Sequence, residues 1–419
     1  MSASIRISES KSLLKVAPLF LVIAIDSMGL GILFPILSAM LISHHSLFLP
    51  SGTSNFLREL IYGVTIGIYM IAWFFGSAIL GDLSDLMGRK KALMICLMGA
   101  TLGYITSAIA IGFHSLVFLI IGRVLAGFTA GSQPIAQAAI IDVSSPENRA
   151  RNIGYILLAV SIGFVLGPVM GGVLSNTQWV SWFNFATPLY FAGILSLVNC
   201  ALLFFSFKET FLRTKKIKIK LHYAIQIFKE AFQKKSIRVL SFVLLIETAG
   251  WSEYFTFVSQ FLLRKFDYSA SEVSFFIAAL AVGFCVGFGL LVKPCAKRFN
   301  LKNCVIFNLL IAAILCLVTA TAHIALVIWI AAVLIGMCVA LLYSLLLTIF
   351  SNQVSAEEQG WVMGITSSVG ALSFGITALI SGFAADWNAA VPLYLAFFGL
   401  GLAALILKLA KIKNTGVAE

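Results

Sequence analysis

Apolar runs long enough to cross a bilayer recur along the whole chain, and short polar segments separate them. About 20 residues of α-helix span the hydrocarbon core of a membrane, so we predict one spanning helix for each run. The predicted runs are 16–42, 60–80, 92–112, 115–141, 152–175, 186–207, 237–263, 272–292, 303–321, 325–350, 360–384 and 389–407.

The composition agrees with that pattern. The 419 residues are 60% hydrophobic, and the mean hydropathy is +1.01. Such a chain carries too few charges to cover a soluble globule of its size, and no soluble domain of useful size is left between the runs. The sequence therefore predicts an all-α integral membrane protein with twelve transmembrane helices.

The net charge of +12 raises the possibility of a nucleic-acid partner, but the placement of the bases favours a membrane explanation. Nearly all lysines and arginines fall in the alternate connections that share one side with both termini. Only Arg58, Arg264 and Lys265 fall on the other side, and Arg123 falls inside a run. By the positive-inside rule, both termini lie in the cytoplasm. We expect a monomer in the cell (inner) membrane that contacts lipid and does not bind nucleic acid.

The two halves of the chain resemble each other, which indicates an internal repeat. The tetrad Asp26–Gly29 lies about ten residues into the first run, and Glu247–Gly250 lies at the matching place in the seventh. We therefore predict two pseudo-symmetric six-helix bundles, residues 1–208 and 237–419, joined by a lysine-rich cytoplasmic linker at 209–236.

The linker carries apolar residues at helical spacing. They would form one face of a helix lying at the lipid interface. A mobile tether is the alternative. The apolar positions are Leu221, Ala224, Ile225, Phe228 and Phe232.

The segment GDLSDLMGRKK at residues 81–91 follows the second run and combines two acids, two glycines and three bases. Charges and unpaired backbone groups are not tolerated in lipid, so we expect a short loop at the membrane face. Gly81 would permit a close backbone approach, and Gly88 a conformation that a Cβ disfavours. The bases Arg89 and Lys90 place this loop in the cytoplasm.

This segment resembles the signature loop of the major facilitator superfamily, which reads G-x-L-A-D-R-x-G-R-K-x after the second helix. An ordinary hairpin with cytoplasmic bases would explain the lysines and arginines, but not the spacing of Asp85, Gly88 and Arg89. Ser84 and Leu86 depart from the family pattern. The matching positions are Gly81, Leu83, Asp85, Gly88, Arg89 and Lys90.

Four ionisable residues lie inside the runs: Asp26, Arg123, Glu247 and Glu253. A charge at membrane depth costs several kcal/mol, so such residues normally face a bundle interior or an aqueous cavity. Ten residues of helix place Asp26 and Glu247 about 15 Å below the cytoplasmic surface, and Arg123 lies about 12 Å from the other side. We therefore expect Asp26 and Arg123 to meet at similar depth.

All five histidines fall in loops, so a proton carried through the membrane would have to be carried by a carboxylate. We predict proton coupling by Asp26, Arg123, Glu247 and Glu253. A permanent structural Asp26–Arg123 pair is the alternative. Glu253 is about 240° around the helix from Glu247 and cannot share its face.

The predicted substrate cavity contains Asp26, Glu247 and Trp251. Trp251 lies in mid-span beside Gly250. A packing role or a lipid-facing position is the alternative for this tryptophan.

Further resemblances point to one branch of that superfamily. The first run, with Asp26, Gly29, Gly31 and Pro35, is similar to the first-helix motif of drug:proton antiporters, and Arg123 with Gly127 is similar to a fourth-helix motif associated with proton coupling. The resemblance is closest to tetracycline-efflux proteins. An antiporter-type fifth-helix motif is matched by Gly163, Gly167, Pro168, Gly171 and Gly172.

Taken without the family, these glycines would indicate only a tight helix contact. The corresponding second-half positions hold Thr377 and Ala378 in place of Gly167 and Pro168.

A cytoplasmic gate is predicted from the signature segment. Asp85 would meet the free N–H groups at the start of the eleventh helix, near Gly360, and Arg89 would pair with Asp142. Alternatively, Asp85 and Arg89 serve only topology and local folding. The predicted gate comprises Gly81, Asp85, Gly88, Arg89, Lys90 and Asp142.

The sequence thus predicts a transporter that exports a small organic solute in exchange for protons by alternating access. Proton-coupled uptake of a metabolite is the first alternative, and a channel or non-transporting receptor is the second. We find no nucleophile–base pair and no metal-ligand spacing, so we expect neither an enzyme nor a cofactor. The pair His44 and His45 has no third ligand nearby, and we predict no metal site there.

Overall fold

A computed structural model of the chain describes residues 2–43, 46, 48–142, 146–209, 223–354 and 359–410. His44 and His45 lie outside these ranges. All regular elements in the described part are helical, and a five-residue π-helical turn, Gly287–Leu291, separates α10 from α11. The α-helices are α1 (Ser2–Leu41), α2 (Asn55–Met87), α3 (Arg89–Gly112), α4 (Leu116–Thr129), α5 (Ser132–Asp142), α6 (Pro146–Leu174), α7 (Thr187–Ser206), α8 (Tyr223–Gln233), α9 (Arg238–Phe266), α10 (Ala270–Val286), α11 (Val292–Arg298), α12 (Leu301–Thr321), α13 (Ala325–Ser351), α14 (Gln359–Trp387) and α15 (Val391–Leu409).

Each predicted run coincides with helical residues to within a few positions. The fourth run contains both α4 and α5, and the eighth contains α10, the π-helical turn and α11. In the described part, 10 segments are long and apolar enough to cross a membrane. Helices α6 and α9 are not among them, although each has 29 residues. The apolar part of α6 is the shorter segment Leu158–Leu174.

Several helices begin at a side-chain cap. The hydroxyl of Ser54 accepts a hydrogen bond from the backbone N–H of Leu57 at 3.3 Å, so α2 begins at Asn55. Ser269 and Glu272 form a capping box at the start of α10. These side chains satisfy N–H groups that have no partner within the helix.

The segment 81–91 is not a loop, which corrects the expectation from the sequence. Helix α2 continues to Met87 and α3 begins at Arg89, so Gly88 is the only residue between them. Gly88 has φ 97° and ψ 153°, a conformation essentially restricted to glycine. No heavy atom of the described residues would lie within 4 Å of a Cβ at Gly81, so the expected close approach is not seen there.

The neighbours of each helix in the first half recur in the second half. Helix α3 packs on α4 and α7, and α12 packs in the same way on α13 and α15. Likewise α1 packs on α6 and α7, and α9 packs on α14 and α15. The main contacts between the halves are α2 with α14 and α6 with α10, which are also equivalent under this repeat.

The glycines of α6 form a tight helix contact. A Cβ at Gly167 would lie 3.0 Å from the Cα of Gly31, and one at Gly171 would lie 2.9 Å from the carbonyl oxygen of Ile32. Both partners belong to α1. Gly172 faces α10 instead, where a Cβ would lie 2.6 Å from the Cβ of Ser274. The glycines of this motif therefore allow α6 to pack closely between α1 and the second half of the chain.

Helix α8 lies within the linker, of which residues 210–222 are outside the described part. It packs against α2, α9 and α14, and its expected position at the lipid interface stays a prediction. Phe228 contacts the cluster formed by Phe74 of α2 and Ala371 of α14. The ring of Phe232 lies 4.9 Å from that of Phe242 on α9. Phe228 and Phe232 of the apolar face therefore pack against protein, whereas Ile225 is 55% exposed.

Candidate functional site

The helices run between two ends of the assembly, the Gly88 end and the Asn55 end. The Gly88 end is where α2 ends and α3 begins. The Asn55 end is where α2 begins and where α9 and α14 end. The ionisable residues inside the helices lie between these two ends.

Asp26 is buried in α1 and is 7% exposed. One carboxylate oxygen accepts a hydrogen bond from the hydroxyl of Ser132, at the first position of α5. The break between α4 and α5 places this hydroxyl opposite α1. Among the described residues, the carboxylate thus has a neutral partner and no cation in contact.

Arg123 does not meet Asp26, contrary to the expectation from their depths. Among the described residues the guanidinium forms no ion pair, and its carbon atom lies 4.1 Å from the centre of the Tyr69 ring. Arg123 is 3% exposed, and its Nε has no hydrogen-bond partner. Tyr69 lies within electrostatic range of both Arg123 and Asp26, so the two charges share a neighbourhood without direct contact.

Glu247 occupies the repeat-equivalent position in α9. It is 2% exposed and accepts a hydrogen bond from the hydroxyl of Thr248 at 3.1 Å. Tyr343 of α13 lies within electrostatic range of it. Both halves thus hold one enclosed carboxylate with a neutral hydroxyl partner at matching positions.

Glu253 points to a different side of α9 from Glu247, as their angular separation around the helix axis predicts. Its Oε1 accepts a hydrogen bond from the hydroxyl of Ser381 on α14, and its Oε2 has no partner. It is 7% exposed. Because α14 packs against α2 of the first half, Glu253 lies close to the contact between the halves.

Trp251 belongs to a cluster of aromatic rings that joins both halves. Its ring lies 5.3 Å from Phe255 and 5.8 Å from Phe284 of α10. Phe255 lies 4.7 Å from Phe34 of α1, and Phe164 of α6 lies 6.1 Å from Phe284. The Trp251–Phe284 and Phe34–Phe255 contacts are edge-to-face, an arrangement that stabilises packing beyond the area it buries. These contacts are those expected of a packing role, and the predicted cavity role stays a prediction.

Reasoning from the sequence missed a buried ion pair at the Asn55 end. Glu59 of α2 is fully buried. Its Oε1 lies 2.5 Å from Nη2 of Arg264 and accepts a hydrogen bond from the Gln260 amide at 2.7 Å. Arg264 also donates to the carbonyl oxygen of Ala385 on α14 at 3.3 Å. We call Glu59, Gln260 and Arg264 the Asn55-end cluster. It links α2 of the first half to α9 of the second.

The sequence of α9 does contain a periodic pattern of polar residues that could have indicated this cluster. Glu253, Gln260 and Arg264 recur at spacings of seven and four residues, which places them on one face of the helix. The carbonyl oxygen of Thr256, on the same face, accepts a hydrogen bond from the Tyr62 hydroxyl at 2.6 Å. A polar face on a membrane helix predicts a buried polar contact, but it does not identify the partner helix.

The Gly88 end holds a second group of charges. Arg89 lies 2.6 Å from Asp85 and 3.3 Å from Asp142, the last residue of α5. The carboxylate of Glu209 accepts hydrogen bonds from the backbone N–H groups of Arg89 and Lys90, at 2.9 and 3.2 Å. Glu209 therefore caps α3, a role that the sequence did not predict.

The contact predicted between Asp85 and the eleventh helix is not present in the described part. Helix α14 begins at Gln359, and residues 355–358 before it lie outside that part. The ion pair of Asp85 is with Arg89 on the adjoining helix. The predicted gating role of Asp85 remains a prediction.

A small cavity with room for about one water molecule lies between α1, α2 and α4. Asp26, Glu247 and Trp251, the predicted cavity residues, do not line it. Its walls are Leu33, Phe34, Leu37, Ile66, Met70 and Arg123.

Comparisons with known proteins agree with the helical arrangement. The model of the Major Facilitator Superfamily matches residues 19–378 and 240–416. The chain is 27% identical over 382 residues to the class C tetracycline resistance protein of Escherichia coli, covering 87% of this chain and 89% of that relative. It is 24% identical over 391 residues to multidrug resistance protein 2 of Bacillus subtilis (strain 168), covering 90% of each. The crystal structure of a D-xylose-proton symporter superposes with a TM-score of 0.73 at 15% identity, covering 95% of this chain and 99% of that one.

Proposed function

Because the chain belongs to the Major Facilitator Superfamily, we propose that it exports a small organic solute in exchange for protons by alternating access. Membership makes it a multi-pass membrane transporter and not an enzyme. The similarity to tetracycline resistance and multidrug resistance proteins places it with the drug:proton antiporters, as the sequence motifs predicted. We propose twelve spanning helices in two six-helix bundles, with both termini in the cytoplasm of a bacterial inner membrane.

The observation that carries this proposal is the pair of enclosed carboxylates at equivalent places in the two halves. Asp26 and Glu247 each have a hydroxyl partner and, in the part of the chain that the structure describes, no cation in contact. A carboxylate in such surroundings can hold a proton and release it when water reaches it. Two such groups on facing bundles would load and unload protons as access changes from one side to the other.

The packing between the halves supports alternating access. Near the Asn55 end, α2 and α14 approach closely: a Cβ at Gly67 would lie 2.9 Å from the carbonyl oxygen of Gly375. Towards the Gly88 end, α8 lies against both helices. We take the Asn55 end as the outside, and the structure then corresponds to a state closed on that side.

The test uses the purified protein in sealed liposomes with an imposed pH gradient. We expect accumulation of a tetracycline or another organic solute against its gradient on the side opposite to proton entry, and collapse of that accumulation with an uncoupler. Movement of solute and protons in the same direction would support uptake by symport instead. Flux that an uncoupler leaves unchanged would contradict coupled transport.

A further inference from the structure

We propose that helix α8 controls which side of the molecule is open, because Phe228 keeps α2 and α14 apart at the Gly88 end and must leave before that end closes. This role deepens the proposed function and rests on it, since it gives one element a part in alternating access. Helix α8 belongs to the linker between the two halves, so its role is distinct from solute binding and from proton transfer.

The contact between α2 and α14 is close on the Asn55 side. A Cβ at Gly63 would lie 3.4 Å from the Cα of Gly382, and one at Gly67 would lie 2.9 Å from the carbonyl oxygen of Gly375. Gly81 follows Gly63 by 18 residues, about five turns, so it lies on the same face of α2. A Cβ at Gly81 would nevertheless have no heavy atom of the described residues within 4 Å. The two helices therefore diverge towards the Gly88 end.

Phe228 occupies the place where these two helices diverge. Phe74 of α2 and Ala371 of α14 are buried there in one apolar cluster, and Phe228 packs against it. Phe74 follows Gly67 by seven residues and lies on nearly the same face of α2. A helix contact as close as the one at Gly67 leaves no room for a phenylalanine ring between the helices. Closure of the Gly88 end would therefore require Phe228 to leave.

Helix α8 is held in this place by the second half. The four residues 234–237 connect it to α9. Ala231 and Ile237 are fully buried, and the ring of Phe232 lies 4.9 Å from that of Phe242 on α9. These contacts make α8 an extension of the second half, whereas α2 belongs to the first. A rotation of one half against the other would therefore move Phe228 relative to Phe74.

The second half contacts α2 at two levels. Near the Asn55 end, Arg264 of α9 pairs with Glu59. Towards the Gly88 end, Phe228 of α8 packs beside Phe74. Both contacts stabilise the same arrangement, in which the Asn55 end is closed and the Gly88 end is open. Loss of either contact should therefore shift the population in the same direction.

The test measures the population of the two states in the purified full-length protein, from distances between spin labels at Lys91 and Lys297. Both positions are exposed at the Gly88 end and belong to different halves. The labels are introduced as non-canonical amino acids, because the chain has seven cysteines of its own. Phe228→Ala should raise the ratio of the shorter to the longer distance roughly fivefold or more, since it removes apolar contacts that only the state open at the Gly88 end makes.

Ile225→Ala is the matched control, because Ile225 lies on the same helix and is 55% exposed. It should leave the ratio of the two distances within about twofold. Phe228→Leu keeps an apolar side chain of smaller volume and should shift the ratio in the same direction by less. This variant keeps the test decisive if Phe228→Ala does not fold.

A double variant tests whether the two levels of contact act on one equilibrium. Glu59 and Phe74 are 15 residues apart in α2, about 22 Å along the helix. Effects at such a separation are normally additive in free energy. Phe228→Ala combined with Glu59→Gln should therefore multiply the two changes in the ratio.

The proposal is overturned if Phe228→Ala leaves the distances unchanged, changes them no more than Ile225→Ala, or shifts them towards the longer distance. The measurement requires neither a solute nor a pH gradient, so it is independent of the flux assay. Coupled flux with unchanged distances would reject only this role of α8. Shifted distances without coupled flux would reject only the proposed function.

Discussion

At the scale of single residues, Asp26 is a buried acid whose partner is a neutral hydroxyl on another helix. Its carboxylate is bound by a serine of the short helix α5. An amide has nearly the same shape and can still accept that hydrogen bond, but it cannot carry a proton. The geometry thus permits a substitution that separates folding from proton transfer.

We predict that Asp26→Asn abolishes flux driven by a pH gradient, with a loss of roughly two to four orders of magnitude as for removal of a general acid–base group. Exchange of labelled for unlabelled solute at constant pH should persist. The measurement is both fluxes in liposomes. Ser132→Ala is the matched control and should retain coupling with a changed pH profile. Normal gradient-driven flux in Asp26→Asn would remove Asp26 from the mechanism.

Glu247→Gln should impair coupling or solute binding, because Glu247 is the equivalent carboxylate of the second half. We expect at least a severalfold drop in gradient-driven flux, measured across a range of pH. Thr248→Ala removes only the hydrogen bond to Glu247 and should cost less. If Glu247→Gln leaves the rate of gradient-driven flux and its pH dependence unchanged, the equivalence of Asp26 and Glu247 in the repeat has no functional meaning.

At the scale of helices, the junction of α2 and α3 depends on one glycine. Gly88 has positive φ, and the adjoining N–H groups of α3 are capped by Glu209. Gly81 lies inside α2, and no heavy atom of the described residues would lie within 4 Å of a Cβ there. The backbone conformation at Gly88 therefore requires glycine, whereas the helix around Gly81 does not.

We predict that Gly88→Ala destabilises the protein by about 1–3 kcal/mol, the usual cost of a side chain in that backbone region. Gly81→Ala is the matched control and should be neutral or slightly stabilising, since alanine favours a helix interior. Thermal unfolding of the detergent-solubilised protein measures both. Equal midpoints for the two variants would contradict the assignment of strain to Gly88.

A second prediction for this junction concerns the cytoplasmic gate. If Asp85 helps hold the bundles closed on this side, Asp85→Asn should shift the population towards the inward-open state. Distances between spin labels at Lys91 and Lys297, both exposed at the Gly88 end, would report the shift. Asp142→Asn is the comparison, because it removes the other partner of Arg89. An unchanged distance distribution in both variants would mean that Asp85 and Arg89 serve only membrane topology and local folding.

At the scale of the whole molecule, the Asn55-end cluster connects the two halves where they approach most closely. Glu59 is fully buried and pairs with Arg264 at 2.5 Å. A buried charge that loses its partner is strongly unfavourable. Opening the molecule on this side would separate α2 from α9, so the ion pair would have to break or become hydrated.

We therefore expect Glu59→Gln to favour the outward-open state by roughly tenfold. Arg264→Gln should have a similar effect, and the double variant should add little, since both remove one interaction. Spin labels at Gln178 and Trp387, exposed on opposite halves, would measure the opening. Glu253→Gln keeps a neutral hydrogen bond to Ser381 and should shift the population less. Additive effects of the two single variants would contradict the ion-pair explanation.

The helical class, the bounds of most helices and the family could all be predicted from the amino-acid sequence. These properties depend on local signals: the length of apolar runs, the spacing of small residues and the placement of bases. Gly88 illustrates this well, because its unusual backbone angle could be expected from the motif alone. The buried acids Asp26, Glu247 and Glu253 were also evident, since charge inside an apolar run stands out.

Which side chains meet could not be predicted from the sequence, because it depends on how the helices pack. Asp26 binds Ser132 rather than Arg123, and Glu59 pairs with Arg264. The residues of each pair are about 100 or 200 positions apart in the chain, so no local pattern relates them. The rotation of each helix about its axis depends on packing against its neighbours. A shift of one residue turns a side chain by about 100°, so depth along a helix cannot identify a partner.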